Sequence, residues 1–200
     1  MQEITKLFKV YTFDELPENI QEKVIDNFRE NNLDYDWWEN TFEDFISICA
    51  ILGIETDHKK IFFSGFSSQG DGACFEGEYK YKKGSVKEIK AYAPLDKKLH
   101  EIALNLSKLQ SKAFYRLQAT IKHSGHYYHC NCTDIDVSRT DYIDITDEQE
   151  NGIIEYLRDL MNWLYKTLEK EYEYLQSDDA IKETIAANEY KFLENGKIYY

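Results

Sequence analysis

Between Lys60 and Tyr81 the hydrophobic pattern has a period of two around a glycine-rich block, and this constrains the fold more than any other stretch. Ala73, Phe75, Tyr79 and Tyr81 fall on one face of a strand, and Glu76, Glu78 and Lys80 on the other. Successive strand side chains point to opposite sides, so this is the alternation of an antiparallel sheet with one wet face. The spacing predicts strands over Lys60–Phe66 and Ala73–Tyr81, joined by the six residues Ser67, Ser68, Gln69, Gly70, Asp71 and Gly72.

The rest of the chain supplies further hairpins and amphipathic helices. Lys6–Thr12 reads as a first strand. Thr12-x-x-Glu15 has capping-box spacing, Pro17 suits a first helical turn, and Ile20, Val24, Ile25 and Phe28 carry a helix to about Asn31. A second helix is expected from about Asp36 to Leu52, stopped by Gly53, and a third from an Asp96 cap to about Ala113. Tyr115–His123 and His126–Ser138 read as a strand pair around Ser124-Gly125. Thr146-x-x-Gln149 opens the longest helix, to about Gln176, and Ser177 caps a short one through Ala187. Tyr190–Tyr200 reads as a closing hairpin with Asn195-Gly196 as a type I′ turn. Strands that arrive as hairpins, not as βα units, predict an α+β fold. Its sheet is mainly antiparallel and built from hairpins, with about five helices packed mostly on one face. Residues 1–200 are expected to form a single domain.

Charge limits the partners. Against 24 basic residues stand 37 acidic ones, a net of −13 that repels phosphate backbones and argues against direct nucleic-acid binding. It suits a protein partner with a basic surface, or mimicry of nucleic-acid charge. Aromatic residues make up 15% of the chain, enough either to fill half-buried sheet positions or to build a contact surface. The apolar run at Phe45–Leu52 is too short to span a bilayer, and the N-terminal residues lack the apolar core of a signal peptide. No membrane association is expected, and the cytoplasm is the expected compartment. There the cysteines at 49, 74, 130 and 132 are expected as free thiols.

Two segments carry candidate chemistry. In Ser64–Gly77, four glycines allow close approach by a ligand, and exposed amides with Ser67, Ser68 and Gln69 are donors fit for an anion. Asp71 offers a base or a cation ligand. The block is neither a Walker loop nor a Rossmann turn. The plainer alternative is a tight hairpin in which Asp71 bonds its own backbone. In His123–Cys132, a two-residue Ser124-Gly125 turn sets His123 and His126 opposite each other, with Tyr128 nearby, and sends His129 to the other face. Cys130 then lies about 13 Å from His126, too far for one ion, so no complete local metal site is expected. A two-histidine half-site completed by acidic residues elsewhere stays open, but the expectation is a neutral imidazole pair lining a pocket. The expected ligand-binding residues are therefore Ser67, Ser68, Gln69, Gly70, Asp71, Gly72, His123, His126 and Tyr128, with no cofactor and no assigned catalytic residue. They make one site only if both hairpin tips share a cleft.

Several motifs belong together: Asp14-Glu15-Leu16, the block from Gly65 to Gly77, His-x-Gly-His-Tyr-x-His at 123–129, and Leu-Glu-Lys-Glu-Tyr-Glu-Tyr-Leu at 168–175. Together they resemble phage and prophage proteins labelled "antitoxin of toxin–antitoxin stability system". The resemblance spans most of the chain and carries over no catalytic residue. It implies an origin in mobile elements, where small acidic proteins neutralise a host or rival protein. The leading expectation is a non-catalytic binding protein that blocks a toxin or host defence component in the host cytoplasm. The alternative is a pocket that binds or hydrolyses a nucleotide or other phosphorylated small molecule.

Overall fold

A computed structural model describes residues 7–31 and 33–200. The fold is α+β, with six α-helices and antiparallel strands among the described residues. The chain divides into two compact units: the described residues through Trp37 with Lys170–Tyr200, and Trp38–Glu169.

In the Trp38–Glu169 unit, a four-stranded antiparallel sheet has the order β1 (Ile54–Glu55), β4 (Gly77–Lys80), β5 (Leu117–His123), β6 (Thr133–Arg139). A separate ribbon pairs β2 (Ile61–Phe63) with β3 (Ala73–Phe75). Leu117, Ala119 and Ile121 of β5 are buried while Thr120 and Lys122 are exposed, so one sheet face is apolar. Helices α2 (Glu39–Leu52), α3 (Ser85–Tyr92) and α4 (Lys97–Lys112) belong to this unit, as does α5 (Asp147–Leu175) through Glu169. Leu99, Ile102, Leu106 and Leu109 of α4 and Ile153, Leu157, Leu160 and Leu164 of α5 are all buried.

Buried polar groups fix the sheet to these helices. The Gln110 amide donates to Leu117 O at 2.8 Å and to the Tyr79 hydroxyl at 3.2 Å, and accepts from Leu117 N at 3.1 Å. The Thr133 hydroxyl reaches Met161 Sδ at 3.7 Å. The expected caps form: Asp96 accepts from Leu99 N at 2.9 Å, and Thr146 and Gln149 make the reciprocal capping-box pair at 3.2 and 3.3 Å. Among the described residues, no helix is long and apolar enough to cross a membrane.

In the other unit, α1 (Glu18–Asn31) and α6 (Asp178–Ala187) pack with the hairpin of β7 (Lys191–Phe192) and β8 (Ile198–Tyr199). Val24, Ile25, Phe28, Ile181, Ile185 and Phe192 form its core with Phe13 and Leu16. Ser177 Oγ caps α6 by accepting from Ala180 N at 3.3 Å.

Several local expectations are corrected. The strand expected over Lys6–Thr12 reduces to a single bridge, Tyr11 to Phe192; Lys6 lies outside the described residues. The long strand Ala73–Tyr81 breaks at Glu76, whose N–H turns to Lys60 O while its carboxylate accepts from His123 N, so β3 and β4 enter different sheets. β3 is buried at every position and shows no alternation. The Asn195-Gly196 turn is not type I′: only Gly196 has a positive φ, and its N–H bonds Leu193 O, as in a type I turn followed by a left-handed residue. Helix α3 gave no periodic signal, being short, with Ile89 its one large buried apolar side chain.

Candidate functional site

The glycine-rich loop spans residues 64–72, longer than expected because β2 ends at Phe63. Ser64 N–H closes its base on Gly72 O at 3.0 Å, and Asp71 N–H closes its tip on Ser68 O at 3.1 Å. Asp71 Oδ2 accepts from Ser67 N at 2.9 Å and Ser68 N at 2.6 Å. The Ser68 amide is the largest influence holding this carboxyl below its ordinary range; partial desolvation opposes it, and the Ser67 amide and Ser64 hydroxyl add to it. The anion nest expected for a ligand is thus filled by the loop's own carboxylate.

The histidine-rich segment is not a two-residue hairpin. β5 and β6 pair last at His123↔Thr133, so residues 124–132 form a loop ending in a 3-10 turn at Cys130–Cys132. That loop packs on the glycine-rich one. Gly72 lies so close that a Cβ there would sit 2.4 Å from His129 Cα, and a Cβ on Gly70 would sit 2.6 Å from the Tyr127 ring. Gly70 also holds φ +98°, a conformation other residues seldom adopt. The loops meet at a cleft of about 410 Å³, lined by Gln69, Gly70 and Asp71 on one side and Tyr127, His129 and Asn131 on the other.

The histidine in the cleft is therefore His129, and the expected pairing of His123 with His126 is absent. His123 is occupied elsewhere: Nε2 donates to Tyr127 O at 2.9 Å, and its ring lies 5.4 Å from Phe62 and 5.2 Å from Tyr128. Tyr128 in turn stacks on Phe62 at 5.6 Å. His126 is exposed and meets Tyr127 edge-on at 5.2 Å. Of the nine expected residues, Gln69, Gly70 and Asp71 line the cleft. Ser67, Ser68, Gly72, His123, His126 and Tyr128 lie outside its lining, although the Ser67 and Ser68 amides hold Asp71 and Gly72 packs against His129. Tyr127, His129 and Asn131 are the cleft residues that the sequence reading did not include. A strand through His126–Ser138 sends His129 to the opposite face, whereas residues 124–132 form a loop in which strand alternation does not apply.

His129 has a defined hydrogen-bonding state. Its Nδ1 accepts from Asn131 N at 3.2 Å, which places the proton of the neutral ring on Nε2, 3.4 Å from Cys132 Sγ. Cys74 on β3 is buried, and burial pushes its thiol up to about 12, helped by Cys132, Glu76 and Cys130. Cys49 is raised by burial alone. All four cysteines are free.

No curated protein and no solved structure matches this chain significantly. Residues 37–178 match the sequence model of DUF8835, a domain of unknown function, and the chain belongs to that family.

Proposed function

We propose that this chain is a non-catalytic binding protein of phage or prophage origin that neutralises a toxin or a host defence component in the cytoplasm. The observation that carries the reading is the interlocking of the two loops. Their strongest donors, the Ser67 and Ser68 amides, are spent on Asp71, and Gly70 and Gly72 are spent on close packing. What remains for a partner is a preorganised face of Tyr127 (51% exposed), His126, Gln69 and Asn131. Tyrosine, serine, glycine and asparagine on fixed loops make a contact surface of low ordering cost, the chemistry that protein-binding loops favour. The net charge of −13 steers a basic partner toward the molecule. Affinity capture with the wild-type chain and Tyr127→Ala from the same bacterial lysate tests this. A partner retained by the wild type and reduced by the variant supports the reading, and no stable partner removes its main support.

The size of the cleft favours a second reading, since about 410 Å³ is within the range of small-molecule sites. Its lining holds no lysine or arginine, and the Asp71 carboxylate stands where a phosphate would seek amides. A ligand here would be read by Gln69, His129 and Asn131 as hydrogen-bonding groups. Thermal-shift measurements against nucleotides, with and without divalent metal, separate the readings: a rise that disappears in Asp71→Ala places a ligand in the cleft.

A further inference from the structure

Away from the loop cleft, Glu39, Glu43 and His58 converge: one carboxylate oxygen from each glutamate and one imidazole nitrogen all lie within 4.8 Å of one another. Glu39 and Glu43 are one turn apart on α2, so helix geometry puts both on one face. His58 opens the 3-10 turn His58–Lys60, whose preceding Asp57 accepts from Lys59 N at 2.9 Å. The imidazole packs against Phe42 from the same helix at 5.8 Å, which sets its position beside the two carboxylates. The loop that brings His58 to α2 is thus held by a cap and a ring contact, not by the three donors themselves.

Among the described residues, neither carboxylate nor the imidazole has another hydrogen-bond or ion-pair partner. The nearby Lys60 ammonium pairs with Asp57 at 3.7 Å. Two anions and an imidazole therefore share a small volume on a chain of net charge −13. Like charges at this spacing repel, and a cation bound between them removes the repulsion. We propose that Glu39, Glu43 and His58 bind a divalent first-row transition ion. An imidazole with two carboxylates is the donor set of zinc, manganese, iron or cobalt, since magnesium and calcium take oxygen ligands. Three protein donors leave coordination positions for water or for a group from a partner.

Cobalt(II) is the probe that separates this site from the thiols around Cys132. The 200-residue chain, reduced, is titrated with Co²⁺ and followed by calorimetry and visible absorption. The expected result is one ion per chain with a d–d spectrum free of the sulfur-to-cobalt charge-transfer band. Glu43→Gln and His58→Ala each weaken binding by about tenfold or more, as loss of an inner ligand exceeds the usual effect of outer-shell changes; Cys132→Ser leaves it unchanged. Absence of saturable binding, a thiolate charge-transfer band, or Glu43→Gln and His58→Ala variants that bind as tightly as the parent would each overturn the proposal.

Discussion

Replacing Gly72 by alanine tests the loop–loop contact with a single methyl group. The added Cβ would lie 2.4 Å from His129 Cα, 2.6 Å from its Cβ and 3.0 Å from its N. Those are mostly backbone atoms, which cannot rotate away as a side-chain end can, so the histidine loop must shift bodily. Overpacking of this kind costs about 1–3 kcal/mol, and backbone contact argues for the upper half of that range. Alanine also stiffens the unfolded chain, which offsets about 0.4–1 kcal/mol. The net destabilisation is about 1–2.6 kcal/mol, or a fall in Tm of roughly 2–10 °C for a chain of this size. Gly65→Ala is the control, because a Cβ there meets Asp71 Oδ2 at an ordinary 3.5 Å. Thermal melts followed by circular dichroism, with tyrosine and tryptophan fluorescence as a second probe, read both variants. If Gly72→Ala melts with Gly65→Ala and the wild type, the two loops are not in the contact described.

Three further predictions rest on single groups. Gln110→Leu strips three hydrogen bonds from a fully buried position and leaves Leu117 N–H and the Tyr79 hydroxyl without this partner, so urea denaturation should show a loss of about 2–4 kcal/mol; a loss under about 0.5 kcal/mol contradicts the role given to it. Asp71 has a depressed folded-state pKa, so its stabilising contribution is present above the ordinary aspartate value of about 3.9 and is lost as pH falls through the folded value. Amide resonances of Ser67 and Ser68 should therefore titrate with a midpoint below about 3.9, and a midpoint at or above it refutes the hydrogen-bonding account. Cys49 and Cys74 are buried with raised pKa values, whereas Cys130 and Cys132 are part-exposed. At pH 8 a thiol reagent should label only the latter pair in the native protein and all of the cysteines in denaturant; rapid native labelling of Cys74 would contradict its placement.

Helix termini were the most legible part of the sequence because capping chemistry is local. Thr146 with Gln149, Asp96 and Ser177 each mark a boundary with a side chain that bonds a backbone group three residues away. Strand ends were less legible. Nothing near Glu76 in sequence reveals that its N–H turns to Lys60 and its carboxylate to His123, since both partners are set by tertiary packing. The same limit applies at the cleft. Gly72 is a glycine because another loop's backbone lies against it, and a hairpin turn would have called for one as well. The plainer reading of Asp71 as a partner for its own backbone is what the structure contains, because the accepting carboxylate and donating amides lie within four residues of one another. His129 falls outside the expected site because a strand from His126 sends it to the opposite face, and no strand extends through it; Tyr127 carries no sequence signal that sets it apart from its neighbours.

The proposed function requires that the face formed by the two loops contacts a protein. Site-specific photo-crosslinking reads it most directly: benzoylphenylalanine is placed at position 127 in the cleft or at position 142, where Tyr142 is 97% exposed and does not line the cleft. The chain is expressed in bacterial cells and irradiated. A discrete protein adduct is expected from position 127, lost when Gly72 is also changed to alanine, with none from position 142. An adduct from position 142 alone, or from neither position, would contradict it.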